Sequence, residues 1–342
     1  MSDTGELGLS KSAAAVDFGK RKKVGQNGWG ETIRLLLPVF LTIVFYVAHQ
    51  LLPNRQNLLN GKYFSFAVLV LLGVYIVLAV YSFFSSVLKK KLSERGLLFA
   101  AVAVFLLVWD LVTLKFSLLP MPYFPSPGAI FGALATDWKT LGISILYSLR
   151  LLGTGYGIGL LVGLLTGTLM GWYAGCNYWL NPLLRLIGPI PATAWIPIAM
   201  AVFPTSFAAS IFIVALATWF PITVMTWSGI AGVNKNYLEV ARTLGGREFY
   251  LIARVAVPAA LPSIFVGMFM ALGMAFATLV VGELLGVKAG LGWYIQWAQG
   301  WAEYAKVYAA LFVMAVLFSS IISLLFSIKD RVLVWQKGLI KW

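Results

Sequence analysis

The chain has 342 residues, of which 60% are hydrophobic and 11% are charged, and its mean hydropathy is +0.87. About a quarter of the residues in soluble domains are charged, so this composition excludes a soluble globular protein and indicates an integral membrane protein. The net charge of +14 comes from basic residues dispersed between long apolar runs, unlike the basic stripe of a nucleic-acid-binding protein. One cysteine and one histidine exclude an internal disulfide and leave too few ligands for structural zinc, so no metal site and no catalytic residue is predicted.

The first 32 residues are polar and are predicted to form a cytoplasmic tail, with a basic cluster at residues 20–23. The apolar run that follows is too long for the core of a signal peptide and lacks a small-residue cleavage site, so we expect it to be retained as the first membrane span.

Eight apolar segments reach the length of about 20 residues that a helix needs to cross a bilayer. A lone strand in the bilayer would leave its amides unpaired, and these segments lack the alternation of barrel strands. The sequence therefore predicts an all-α membrane protein, a polytopic bundle of about eight transmembrane helices. The predicted spans are residues 33–52, 64–87, 97–118, 143–173, 179–203, 208–230, 261–285 and 307–328.

Lysine and arginine residues predict the orientation of this bundle. If the N terminus is cytoplasmic, the basic residues of segments 20–34, 89–95, 235–254 and 329–341 all face the cytoplasm, whereas the other side receives a few scattered ones. The positive-inside rule therefore predicts that both termini are cytoplasmic.

The cytoplasmic segment 233–260, called the coupling segment below, joins the predicted sixth and seventh spans. It carries one apolar face at the spacing of a helix, formed by Tyr237, Val240, Ala241 and Leu244. Gly245 and Gly246 are predicted to end this helix, and a second helical piece from Arg247 leads to Pro258, where the seventh span is predicted to begin. A short amphipathic helix of this kind either lies in the lipid headgroups or inserts into a groove on another protein, and its length and charge do not decide between these uses.

This segment resembles the cytoplasmic signature of ABC importer permeases, which reads E-A-A, three residues, G, nine residues, I-x-L-P. Glu239, Ala241 and Gly245 match, and after nine residues Val255–Ala256–Val257–Pro258 closes the motif. Val240 stands where the signature has its first alanine, and two valines replace isoleucine and leucine, but the spacing is intact.

Other motifs resemble the nitrate, sulfonate, taurine and bicarbonate branch of these permeases over about residues 97–328. VFPTS at 202–206 departs from the family's usual W-F-G-x-G. The matching motifs are LLVWDL at 106–111, FPSP at 124–127, GPIPATAWIP at 188–197, GELLG at 282–286 and GLGW at 290–293.

The resemblance implies a type I importer permease that moves a small polar or anionic solute, delivered by an extracytoplasmic substrate-binding protein, across the bacterial cytoplasmic membrane. It also implies two copies of a separate ATPase subunit and a second permease chain, most simply an identical one. The sequence contains no G-x-x-x-x-G-K-[ST] phosphate loop. ATP and Mg are therefore expected on the ATPase, and this chain is expected to bind no cofactor and to be no enzyme.

The predicted domains are the tail 1–32, an extension 33–96 with two spans that the usual permease lacks, a permease domain 97–328 and a cytoplasmic tail 329–342. The residues that the resemblance assigns to ATPase coupling are Glu239, Val240, Ala241, Arg242, Leu244, Gly245, Gly246 and Pro258.

Two further sets of residues are singled out within the spans. Gly155, Gly159, Gly163, Gly167 and Gly171 recur every four residues, which predicts close packing against another helix. Prolines and ionisable groups at membrane depth are tolerated where they line a cavity or contact a group of opposite charge. Asp110 is a candidate ion-pair partner for Arg150. The candidate residues for a translocation path are Pro191, Thr193, Trp195, Pro197, Trp219 and Glu283.

A self-contained ion-coupled transporter or channel is the alternative. It predicts acidic relays and inverted repeats within the membrane, whereas the sequence shows few intramembrane acids and no evident repeat. Binding of an ATPase to the coupling segment discriminates the two.

Overall fold

A computed structural model describes residues 28–55, 61–119, 122–284 and 287–335. Most of the predicted tail 1–32 and the end of the tail 329–342 therefore lie outside the described residues. Every regular element in the described ranges is helical, as the composition predicts. The α-helices are α1 Gly28–Leu51, α2 Gly61–Ser82, α3 Ser86–Asp110, α4 Pro127–Thr136, α5 Trp138–Trp172, α6 Ala174–Ile187, α7 Ile196–Val202, α8 Ser206–Ala231, α9 Lys235–Thr243, α10 Glu248–Tyr250, α11 Val257–Leu284, α12 Leu291–Gly300 and α13 Tyr304–Val332.

Three short turns of other helix types adjoin these elements. π-helical turns follow α3 and α10, at Leu111–Lys115 and Leu251–Ala256, and a 3-10 turn, Ala192–Trp195, precedes α7.

Seven helices of the described chain are long and apolar enough to cross a membrane, and they correspond to seven of the eight predicted spans. They are Gly30–Leu51, Lys62–Ser82, Val87–Lys115, Trp138–Trp172, Ser206–Ala231, Glu248–Leu284 and Tyr304–Val332.

The predicted fifth span, residues 179–203, is a broken pair of helices rather than one rod. Its two parts, Ala174–Ile187 and Ala192–Val202, meet at 88°. The break contains Pro189 and Pro191, which have no backbone N–H to continue the helical hydrogen bonds.

By its internal contacts the chain divides into two compact units. The first comprises the described residues up to Leu52 together with residues 66–108. Its small core contains Leu35, Ala79 and Leu92, with Tyr75 packed against them. The Tyr75 hydroxyl donates a hydrogen bond to the Leu35 carbonyl at 3.3 Å.

The second unit comprises the described residues of 53–65 and those from 109 onward, and it contains the coupling segment. Its largest core lies where α5, α8, α11 and α13 meet, around Leu151, Val214, Leu272 and Leu279. The predicted boundary between extension and permease domain, at residues 96–97, falls inside the continuous helix α3.

The glycine ladder of α5 lies directly against α8. A Cβ at Gly155 would stand 2.8 Å from the Val214 side chain, and one at Gly163 would stand 2.8 Å from Ile222. At the other three glycines of the ladder, an added Cβ would meet α8 at 2.5–2.7 Å. Because no side chain fits there, the backbones of α5 and α8 approach closely and the two helices pack along most of their length.

Candidate functional site

The coupling segment begins with an amphipathic helix, α9, that lies at the surface beside the π-helical turn Leu251–Ala256. Its N-cap is Asn234, whose side-chain oxygen accepts a hydrogen bond from the Asn236 N–H at 3.0 Å. None of its nine residues is buried. A helix of this length is not stable by propensity, so its position depends on the turns at its two ends.

A two-glycine turn ends α9, as the sequence predicts. Gly245 has a φ of +82°, a conformation that side chains disfavour. Its N–H donates to the Arg242 carbonyl and the Gly246 N–H donates to the Ala241 carbonyl, both at 2.9 Å. These bonds satisfy the last carbonyls of the helix and fix the direction in which the chain leaves it.

Large apolar side chains on α9 and just past the turn face outward. Tyr237 is 62% exposed, Val240 60% and Leu244 83%, while Phe249 beyond the turn is 81% exposed. Charged side chains of α9, Glu239 among them, are exposed beside this surface. An exposed apolar surface with a charged rim is typical of a binding site for another protein.

After the turn, the chain is helical from Glu248 through the π-helical turn into α11. The predicted second helical piece from Arg247 is therefore confirmed, but the seventh span has no break at Pro258. A proline in an α-helix removes a hydrogen bond and crowds the carbonyl four residues earlier. The wider π-helical turn immediately before Pro258 is where such a mismatch is absorbed.

The candidate path residues of the broken fifth span surround its break. Pro191 and Pro197 are both exposed, whereas Thr193 is half-buried. The segment packs on α8 through Ala192 and Ala199. The Trp195 indole N–H is buried and has no hydrogen-bond partner among the described residues.

Trp219 of α8 belongs to a polar cluster that the sequence analysis missed. Its indole N–H donates to the Thr166 hydroxyl at 3.1 Å, and the hydroxyls of Thr166 and Thr223 are 2.9 Å apart. Thr166 is the neighbour of Gly167 in the glycine ladder. The four-residue spacing of that ladder predicted that α5 packs closely on another helix, and it was the one sign in the sequence that pointed to this region. The structure does not bring Trp219 and Glu283 into one site, and their assignment to a path stays a prediction.

Glu283 lies in a buried hydrogen-bond network and is 1% exposed. One carboxylate oxygen accepts from the Ser148 hydroxyl at 2.6 Å, and the other accepts from the Gly292 N–H at 2.7 Å. The Ser148 oxygen in turn accepts from the Leu291 N–H at 2.9 Å. Glu283 therefore caps the first turn of α12, where backbone donors and the helix dipole favour a negative charge.

The loop between Glu283 and α12 needs glycine. Gly290 has a φ of +141°, and a Cβ there would stand 2.6 Å from the Glu283 carboxyl carbon. A Cβ at Gly292 would stand 2.7 Å from the Val280 carbonyl oxygen. The two glycines of the GLGW motif thus leave room for the Glu283 carboxylate and for the backbone of α11. Residues 285–286 of the GELLG motif lie outside the described chain.

A second polar cluster holds the middle of α12. The Tyr294 hydroxyl donates to Asp137 at 2.8 Å, and Lys306 forms ion pairs with Asp137 at 3.2 Å and Glu303 at 2.6 Å. Burial, aided by the hydrogen bond to Asp137, raises the pKa of the Tyr294 phenol, so Tyr294 acts only as a hydroxyl donor. The cluster joins α12 to the starts of α5 and α13.

The suggested pairing of Asp110 with Arg150 is wrong. The Arg150 guanidinium instead lies over the ring of Phe207, 5.2 Å from its centre. Asp110 is 1% exposed and interacts electrostatically with Lys115, which hydrogen-bonds Asn54 at 2.6 Å. The π-helical turn at Leu111–Lys115 places Lys115 near Asp110, and sequence periodicity gives no sign of such a turn.

Comparison with known proteins places these features in a family. A model of the binding-protein-dependent transport system inner membrane component matches residues 159–334, which include the whole coupling segment.

Curated relatives match shorter stretches. A putative ABC transporter permease protein of Methanocaldococcus jannaschii is 36% identical over 26% of this chain and 34% of its own. A nitrate import permease protein of Synechococcus elongatus is 27% identical over 41% of this chain and 50% of its own. A putative aliphatic sulfonates transport permease protein of Escherichia coli is 35% identical over 24% and 31%. The chain thus spans a third to a half of these relatives.

A solved structure shares the fold. A chain of the MetNI methionine ABC transporter, in an inward-facing conformation, matches 57% of this chain and 97% of its own, with a TM-score of 0.50 and 18% sequence identity. At that identity the likeness concerns the helical architecture.

Proposed function

Because the chain belongs to the family of binding-protein-dependent transport system inner membrane components, we propose that it is the permease subunit of an ATP-driven importer. The observation that carries the proposal is the exposed apolar face of α9, held out by the Gly245–Gly246 turn. Such a face fits a groove on another protein. Since the sequence has no phosphate loop, the partner that binds ATP and Mg is a separate ATPase subunit.

The assembly contains two permease chains, two ATPases and an extracytoplasmic binding protein. The permease lowers no chemical barrier. Closure of the ATPases on ATP moves α9, and this movement reaches α8 and α11 through the chain segments on either side of it. Docking of the binding protein and ATP binding both favour the outward-open state, and hydrolysis resets the inward-open state.

The proposed cargo is a small polar or anionic solute. Two relatives are named for nitrate and aliphatic sulfonates, and another, in Synechococcus elongatus, is named for bicarbonate. We place the chain in the bacterial cytoplasmic membrane with both termini inside, because the basic segments then face the cytoplasm.

Affinity purification of the native chain from its own host, with mass spectrometry and an ATPase assay, tests this function. Leu244→Arg puts a charge on the most exposed apolar position of α9 and its turn, and Val334→Arg is a matched control at a 62% exposed position just after α13. We expect an ATPase to co-purify with the native chain and the control and to be lost from Leu244→Arg. If no ATPase follows the native chain, the proposal fails and a self-contained ion-coupled transporter takes its place.

A further inference from the structure

The coupling segment contacts the end of α5 through one acidic side chain, Glu248. The indole N–H of Trp172, the last residue of α5, donates to one Glu248 oxygen at 2.8 Å. The other Glu248 oxygen lies 4.0 Å from the guanidinium of Arg242 on α9. Trp172 and Glu248 are 76 positions apart in the sequence, so this tertiary contact joins the end of one span to the start of another.

The Glu248 side chain is 64% exposed, and the backbone around it determines where its carboxylate lies on the protein surface. It is the first residue of the helical stretch that continues into α11, where the helix dipole favours a negative charge. The Gly245–Gly246 turn directly before it fixes its distance from α9. Three residues further on, Leu251 is 1% exposed, which anchors this stretch in the protein.

The ring of Trp172 is held equally well. It packs against a hydrophobic cluster that contains Ile230 of α8 and Ala256 of the π-helical turn. The other two members, Ala260 and Ile264, lie in the first turns of α11. Because the ring is fixed by this packing, its N–H has a defined direction, towards Glu248. Gly171, the neighbour of Trp172 on α5, also lies against α8, so the end of α5 is closely joined to α8.

We propose that Glu248 is a positioning residue that transmits movement of the coupling segment to α5. This proposal rests on the proposed function. α9 is covalently continuous with α8 and α11, but its movement reaches α5 only through non-covalent contacts, namely the packing of the glycine ladder on α8 and the contacts of Trp172. Among the described residues, the hydrogen bond from Trp172 to Glu248 joins α5 to the part of the segment that lies next to α9. A push on α9 therefore reaches α5 by two routes, indirectly through the packing of α5 on α8 and directly through this hydrogen bond, which keeps the end of α5 in step with α9.

Three variants separate the parts of the contact. Trp172→Phe keeps an aromatic ring and removes the N–H donor. Glu248→Gln keeps a carbonyl oxygen that accepts from Trp172 and removes the charge that faces Arg242, whereas Glu248→Ala removes both contacts. The controls are Trp179→Phe, at a 74% exposed position of α6, and Asp330→Asn, an exposed acid beside Lys329.

The first measurement compares solute transported per ATP hydrolysed in the complex reconstituted with its co-purified ATPase. We expect Trp172→Phe and Glu248→Ala to bind the ATPase normally and to lose about fivefold in this ratio, the equivalent of one hydrogen bond. Glu248→Gln and both controls should behave as the native chain does. An unchanged ratio in Trp172→Phe would overturn the proposal, while the absence of any ATPase from the native chain would overturn the proposed function and this inference with it.

The second measurement needs no partner. Spin labels at Tyr173 and Leu244, which are both exposed, report the distance between the end of α5 and the end of α9 in a Cys176→Ser background. We expect one narrow distance distribution in the labelled parent and in Glu248→Gln, and a broad one in Trp172→Phe and Glu248→Ala. If the distance distribution stays narrow in Trp172→Phe, packing alone positions the coupling segment. The proposal is then wrong even if an ATPase binds.

Discussion

Two short helices of the second unit, α9 and α12, are held in opposite ways. α9 has nine residues, none of them buried, and its first turn is capped by a surface asparagine. α12 has ten residues, five of them buried, and its first turn is capped by the buried carboxylate of Glu283. The difference indicates that α12 is part of the folded core, whereas α9 is free to bind another protein.

α9 and α12 differ because the N–H groups of their first turns find hydrogen-bond acceptors in different places. The first N–H groups of any helix lack partners within it. Those of α9 are available to water, so little stability depends on its cap. Those of α12 at Leu291 and Gly292 are buried and depend on Ser148 and Glu283, so removing either acceptor leaves a donor unpaired in the core.

Replacing Glu283 has the largest expected effect. Glu283→Leu leaves the Ser148 hydroxyl and the Gly292 N–H without their acceptor and is expected to lower the free energy of unfolding by about 2–6 kcal/mol, since each orphaned buried group costs about 1–3 kcal/mol. Denaturant unfolding in detergent, followed by circular dichroism, measures it. The control Glu303→Leu, whose side chain is 43% exposed, should cost less than about 1 kcal/mol. Equal stability of both variants would show that α12 needs no buried cap.

A pair of glycine substitutions compares the two helices directly. Gly290→Ala is expected to cost about 3 kcal/mol, because a disfavoured φ is combined with a collision of the new methyl with Glu283. At Gly245 a Cβ meets nothing within 4 Å, so Gly245→Ala is expected to cost only the backbone strain of about 1 kcal/mol. The same unfolding experiment ranks them, and the reverse order would contradict the assignment of α12 to the core.

Tyr294→Phe removes the second attachment of α12 with a smaller effect. Asp137 keeps its ion pair with Lys306 in this variant, so only the phenol hydrogen bond is lost. We expect a cost of about 1 kcal/mol, measured against Tyr178→Phe at a 72% exposed position. A loss as large as that of Glu283→Leu would mean that the Asp137 cluster, and not the cap, holds α12.

Leu244→Arg has the smallest expected effect on stability. Because Leu244 is 83% exposed, the free energy of unfolding should stay within about 0.5 kcal/mol of the native value, although the same variant is expected to lose the ATPase. A melting curve of the purified variant checks this. Marked destabilisation would show that α9 is packed in the membrane-embedded protein and would weaken its role as a docking surface.

Much of the fold follows from local sequence. The length of the apolar runs predicted eight spans, of which seven are single helices in the described chain. The spacing of Tyr237, Val240 and Leu244 predicted α9, and two glycines predicted where it ends. The four-residue glycine ladder predicted a close helix contact on α5. Each of these signals depends only on the spacing of residues within one segment, which is why sequence reasoning could reach it.

The candidate site depends more on contacts between segments. Prolines in the predicted fifth span made it a candidate for lining the translocation path, but only the structure showed a break of 88° there. Arg150 was a plausible partner for Asp110 by charge, yet the fold sets Arg150 against Phe207. Ser148 and Trp172 carried no signal, since an isolated serine or tryptophan in a span is ordinary.

By itself the sequence determined that this protein is a helical membrane protein with an exposed amphipathic segment between two spans, because hydropathy and periodicity are properties of single segments. The tertiary structure decided that Glu283 caps α12 and that Glu248 meets Trp172. Ser148 lies 135 positions from Glu283, and Trp172 lies 76 positions from Glu248. Only the packing of α5 beside α8 and α11 brings these polar groups within hydrogen-bond distance.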